Sequence, residues 1–207
     1  MAVAKLLLSQ EAKLDAADQF RTTPFLLAAR EGKLEMAKFL LEKGAELRTI
    51  GNDGFTALHE AADRGHVGIV EFLIQCGLSV DSRENHDATP LLLCSQAEFV
   101  SQERYAAVAR ALLARGADVH AVTRQGQTAL HRAAFSGHPQ VMEVLLAAGA
   151  KLSARDDEGK TALDLAADSE APRLRREVAT GRRECAKLLR KTASEPKAAT
   201  GGEETTP

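Results

Sequence analysis

The chain has 207 residues, a formal charge of -2, and 44% hydrophobic residues, with aromatics at only 4%, no Trp and a single Tyr. That is ample for one continuous core, and an aliphatic, Ala-rich composition suits small helices packed closely, not a sandwich of sheets. The near-neutral balance argues against a general attraction to nucleic acid, and no apolar run approaches the ~20 residues that a membrane-spanning helix needs.

The chain opens on a fragment of a pattern. Leu7-Leu8, Ala12 and Asp15 align 33 residues ahead of Leu40-Leu41, Ala45 and Arg48. Residues 1–17 therefore read as a half-repeat with only a second helix, either an abbreviated cap or the cut end of a longer array. Its apolar run is too short for a secretory signal. One flank of the helix bearing Leu6, Leu7 and Leu8 lacks a preceding unit, so it is expected to fray or to self-associate.

Five copies of one motif follow. Thr-Pro-Phe-Leu-Leu-Ala-Ala begins at Thr23, Thr-Ala-Leu-His-Glu-Ala-Ala at Thr56, and Thr-Pro-Leu-Leu-Leu-Cys-Ser at Thr89. Thr-Ala-Leu-His-Arg-Ala-Ala begins at Thr128 and Thr-Ala-Leu-Asp-Leu-Ala-Ala at Thr161. The threonines are spaced 33, 33, 39 and 33 residues apart. Thr is a good helix N-cap, and Pro24 and Pro90 follow at the first helical position, where a missing N–H costs nothing. The Ala pair lets a short inner helix approach its neighbours. A turn such as Gly65-His66 or Gly137-His138 reverses the chain into a second helix. That helix carries Val70, Leu73 and Ile74, or Val141, Leu145 and Leu146, at i, i+3, i+4 spacing. Gly44, Gly77, Gly116 and Gly149 then supply a left-handed residue that ends it.

This pattern resembles the ankyrin repeat, over roughly Val3 to Lys191. The resemblance implies an all-α solenoid of L-shaped units, each a short β-hairpin-like finger and an antiparallel helix pair. It further implies a concave face, built from fingers and inner helices, on which relatives bind proteins. The units are expected at 18–50, 51–83, 84–122, 123–155 and 156–191, with a disordered tail at 192–207.

Departures from the pattern carry expectations of their own. Leu26, Leu92 and Asp164 replace the motif His. Arg21 and Asp87 replace the finger Gly, so those turns are expected to be less regular. The third unit has six extra residues within Gln96 to Tyr105, including Phe99, Val100 and Tyr105, and the fifth has ten between Asp168 and Cys185. In the fifth, Leu174, Val178, Gly181, Cys185 and Leu188 share one helical face, which predicts a single helix from Pro172 to Lys191 closing the stack.

No catalytic constellation emerges. His59 and His131 sit at the motif position and His66 and His138 at the turn, so the repeat accounts for four of six histidines. His86 and His120 lie in turns without ligand-spaced partners. Cys94 and Cys185 fall on core positions. Cys76, at a helix end, is the thiol expected to be accessible, and the odd, unpaired set suits a reducing compartment. Nothing implies a cofactor, a metal or an enzyme.

Candidate partner-binding residues lie in the fingers and just after each Ala pair. Phe20, Phe55 and Phe135 are candidate anchors, because an exposed Phe is unfavourable unless covered. Arg30, Glu31, Asn52, Asp53, Asp63, Arg64, Arg124 and Gln125 form a mixed-charge rim. Arg173, Arg175, Arg176, Arg182, Arg183, Lys187, Arg190 and Lys191 form a basic cluster. It reads as the solvated face of the terminal helix, with a nuclear-import patch or an acidic-partner contact as sharper readings. The expected role is a non-catalytic protein-binding scaffold or adaptor in the cytoplasm or nucleus. A regulatory subunit or fragment of a larger repeat protein is the alternative, and nucleic-acid binding through the basic helix stands further behind.

Overall fold

In a computed structural model, described for residues 10, 12–97, 101–167 and 176–194, ten α-helices alternate short and long. The inner helices are α1 (Pro24–Arg30), α3 (Ala57–Asp63), α5 (Pro90–Gln96), α7 (Ala129–Ser136) and α9 (Ala162–Ala167). The outer helices are α2 (Leu34–Glu42), α4 (Val67–Gln75), α6 (Gln102–Ala114), α8 (Pro139–Ala147) and α10 (Arg176–Ser194). Each inner helix packs on the next, α1 on α3, α3 on α5, α5 on α7 and α7 on α9, while α4, α6, α8 and α10 form the parallel outer row. The described residues hold no sheet, only isolated bridges at Ile50–Thr56 and Val122–Thr128 in the fingers. No helix among them is long and apolar enough to cross a membrane.

Every motif threonine caps its helix. The hydroxyls of Thr23, Thr56, Thr89, Thr128 and Thr161 accept from the amides of Leu26, His59, Leu92, His131 and Asp164 at 3.3–3.4 Å. In the second and fourth repeats the motif His closes the box. Its Nδ1 takes the Thr amide proton at 3.2 Å (His59) or 3.3 Å (His131). Nε2 then donates across to the next finger, from His59 to Ser82 and Ala88 carbonyls and from His131 to the Lys160 carbonyl. Burial holds the His59 pKa below its usual value, against the pull of the Ala88 and Ser82 carbonyls, so the ring is neutral. Asp164 makes the same box with a carboxylate oxygen, accepting from the Thr161 amide at 2.8 Å and hydroxyl at 2.7 Å. Thr56→Ala and Thr128→Ala should each cost roughly 1 kcal/mol in denaturant unfolding, through loss of the cap. Full tolerance at both would break the register.

The apolar pairs and Ala pairs form one continuous core, with Ala61, Ala62, Ala133, Ala134, Leu73, Leu112 and Leu145 all buried. Gly44, Gly77, Gly116 and Gly149 take left-handed φ after α2, α4, α6 and α8.

The fingers correct one expectation. Arg21 (φ 56°) and Asp87 (φ 64°) adopt the same left-handed conformation as Gly126 (φ 70°) and Gly159 (φ 76°) two residues before their motif Thr. Their turns close with the same bond, Arg21 N–H to the Asp18 carbonyl and Asp87 N–H to the Glu84 carbonyl, both 3.0 Å. The finger that differs is the second, where Asn52–Gly54 forms a 3-10 turn and Asp53 is also left-handed. The reason lies three residues further back. Asp18, Glu84, Thr123 and Asp156 each accept an amide of their own finger with a side-chain oxygen. Gly51 stands at that place in the second finger and has no side chain to do so.

The third repeat's extra residues lengthen α6 to 13 residues, against nine in α2, α4 and α8. They bury Tyr105, whose hydroxyl donates to the Asp63 carbonyl at 3.2 Å and whose ring stacks on His138 at 5.8 Å. Helix α10 runs through Thr192, Ala193 and Ser194, three residues past the expected end at Lys191. The expected half-repeat around Leu6, Leu7 and Leu8, the insertion residues Phe99 and Val100, the stretch from Pro172 to Arg175, and the tail after Ser194 lie outside the described residues.

Candidate functional site

Five repeats in one chain show which positions the fold demands. The motif Thr, the small pair and the outer-helix Leu recur because they cap or pack. The fourth residue after the motif Thr varies: it is Leu27, Leu93 and Leu165 in three copies but Glu60 and Arg132 in the other two. The seventh is Arg30, Asp63, Gln96, Phe135 and Asp168. The described residues of these rows lie on the inner helices α1, α3, α5, α7 and α9, and Asp168 lies outside the described residues.

The candidate anchors separate. Phe20 stands in the first finger, 55% exposed, and Leu27, unremarked in the sequence, is 48% exposed on α1. Phe135 on α7 is 54% exposed. Phe55 departs from the expectation of a free ring. It packs partly buried on the core, tilted against the His59 ring at 5.6 Å. Ile50 and Val122, in the second and fourth fingers, are further exposed apolar residues that the sequence reading passed over.

The polar rim is largely engaged with itself. Arg30 meets Glu60 with two bonds, Nε to Oε2 at 2.8 Å and a terminal amine to Oε1 at 2.7 Å. Hydrogen bonding to Glu60 raises the Arg30 pKa, with burial opposing. The pair joins the seventh position of one repeat to the fourth of the next, a spacing of 30 residues that could have been read from the motif register. Asp63 pairs with Arg64 at 3.3 Å, and burial raises its carboxyl pKa despite that neighbour. Arg124 pairs with Asp87 at 3.2 Å across the third and fourth fingers. Successive fingers also share backbone bonds, Asn85 N–H to the Asp53 carbonyl and Asp157 N–H to the Gln125 carbonyl. Glu31 and Asn52 are exposed at the edge.

The basic cluster needs one correction. Arg183, Lys187, Arg190 and Lys191 are exposed along α10, as a solvated face requires. Arg182 is not on that face: it is 3% exposed, donates to the Leu165 carbonyl at the end of α9, and lies over the Phe135 ring at 5.3 Å. Helix α10 packs on α7, α8 and α9 together, so one of its arginines must point into the junction. Arg173, Arg175 and the Arg176 side chain lie outside the described residues.

Two turn histidines are tied to the neighbouring repeat. His66 Nε2 bonds the Arg30 carbonyl at 2.9 Å, and His138 Nδ1 bonds the Ser95 carbonyl at 3.1 Å, each tying a turn to the preceding repeat. Burial pushes the Cys94 and Cys185 thiols up to about 12, while Cys76 is half-buried. No three His, Cys, Asp or Glu side chains among the described residues converge as metal ligands would.

A family profile describing ankyrin repeats (three copies) matches residues 1–84 and 97–199. Among curated relatives, human ankyrin repeat and SOCS box protein 16 is 37% identical over 136 residues, covering 64% of this chain and 30% of that protein. An L-asparaginase of Dirofilaria immitis is 32% identical over 146 residues, 56% of this chain and 24% of that protein. Dog inversin is 28% identical over 139 residues, 67% of this chain and 12% of that protein. The chain thus spans less than a third of each of these relatives. With the profile matched over most of its length, the chain belongs to the ankyrin-repeat family.

Proposed function

We propose that the chain is a non-catalytic scaffold or adaptor that holds a partner protein along its concave face. Ankyrin repeats generally mediate protein–protein interaction. The observation that carries the reading for this chain is the set of large apolar side chains left about half exposed in the first finger and on the inner helices, Phe20, Leu27 and Phe135. A surface preformed by stacked helices spends little ordering free energy on binding. The partial overlap with larger relatives leaves a second role, as the binding portion of a longer protein.

Phe20→Ala with Phe135→Ala is the test, replacing the exposed rings and leaving Phe55 in place. Crosslinked partner capture by the full chain should be lost, each true hot spot costing about 2 kcal/mol or more of binding, with a nearly unchanged thermal midpoint. Intact capture alongside a large drop in stability would show that the rings are structural and the concave face is not the binding surface.

A further inference from the structure

Glu60 and Arg132 occupy the same place in the second and fourth repeats, with opposite charge and opposite fates. Glu60 is held by Arg30 from the preceding repeat. The residue that precedes Arg132 in the same relation is Gln96, which brings no charge. Arg132 is half-buried, and its Nε is shut off from solvent with no hydrogen-bond partner. Burial lowers its pKa, and Glu84 is the carboxylate whose field opposes that. No ion pair forms between them: Glu84 Oε1 is committed to the Ala88 amide at 2.8 Å, and its Oε2 is itself buried without a partner. A guanidinium that loses solvent at one donor normally gains a charged partner at its others.

Phe135 follows three residues later, on the same face of α7. Arg182 covers one side of its ring at 5.3 Å and fixes it against α10, leaving the ring 54% exposed. Arg182 Nε is buried and unmatched as well. A rigid aromatic braced by Arg182 and one helical turn from Arg132 is an anchor that costs little to order.

Resting on the scaffold reading, we propose that the fourth repeat binds a partner-protein segment that brings a carboxylate to Arg132 and an apolar side chain to Phe135. With Nε shut off, the two terminal amines of Arg132 are the donors that would meet a carboxylate with two bonds. A nucleic-acid backbone is a poorer occupant, because the next finger sets Asp156, Asp157 and Glu158 against Arg155 and Lys160 and so offers no basic run to successive phosphates, whereas a single carboxylate needs only Arg132.

The test places the full chain on an array of synthetic dodecapeptides carrying a central Asp, Asn, Lys or phosphoserine with Leu or Phe up to four residues away. Retention should select Asp with the apolar neighbour. In solution titrations of the best peptide, Asp→Asn in the peptide and Arg132→Gln in the protein should each weaken binding about ten- to hundredfold. Together they should weaken it little more than either alone. Arg132→Gln removes a half-buried charge with an unmatched Nε, so its thermal midpoint should not fall, and Arg132→Lys, keeping charge without the fork, should bind between the two. Equal retention of Asn peptides, preference for phosphoserine, indifference to Arg132→Gln, or no retained peptide at all would each overturn the proposal. The scaffold reading would still stand or fall separately on capture by the Phe20 and Phe135 variants.

Discussion

Gly181→Ala should destabilise the chain by about 3 kcal/mol and release α10 from the stack, at the upper end of what overpacking costs. On an ordinary helix the same change would stabilise by nearly 1 kcal/mol, so the sign alone is informative. At Gly181 a Cβ would overlap the Gly137 carbonyl oxygen and lie 2.9 Å from its carbon. The neighbour is backbone and cannot swing aside. Gly137 is confined in return: it is left-handed at φ 70°, and a Cβ there would come 2.6 Å from the Val178 carbonyl oxygen and 2.8 Å from the Arg182 nitrogen. Parting the two backbones would also expose Cys185 and withdraw Arg182 from Phe135. Hydrogen exchange should quicken along residues 176–194 while α1 to α4 stay protected. A stabilised Gly181→Ala would mean that the two backbones do not approach in this way.

Tyr105→Ala is the second large effect. Removing the largest fully buried side chain should cost about 4 kcal/mol, as aromatic truncations in cores do. Tyr105→Phe keeps the ring on His138 and forfeits the hydroxyl's bond to the Asp63 carbonyl, at roughly 1 kcal/mol. Denaturant midpoints at constant slope would separate the two. An innocuous Tyr105→Ala would place the extra residues of the third repeat outside the core.

The fold was legible because the repeat is written five times, and each copy checks the others. The capping threonines, the Ala pairs and the left-handed position before each motif recur at fixed offsets, so a single register assigns them all. Arg21 and Asp87 show the limit of reading substitutions singly. The turn geometry follows the whole finger, and its weak point was Gly51, where the side-chain acceptor is missing. The concave site was legible as a set of positions and not as a set of contacts. Phe55, before a motif Thr, and Phe135, after an Ala pair, are both candidate anchors in sequence, yet one packs partly buried against His59 and Arg182 braces the other from a different repeat. Arg182 itself sits among five neighbouring basic residues. Nothing in their spacing says which one turns inward, because that is decided by where α10 crosses α7.

The two interruptions of the 33-residue period meet at one peptide group. From one side, Gln102, at the start of the lengthened α6, donates to the Gly137 carbonyl at 3.3 Å. From the other, Gly181 of the lengthened α10 presses on that same carbonyl. The insertions therefore do not behave as separate decorations of separate units. Shortening either would strip one side of the turn between α7 and α8, so the lengths of the two are tied to each other. A graft of the fourth repeat into a regular array would need both neighbours' extra residues to travel with it.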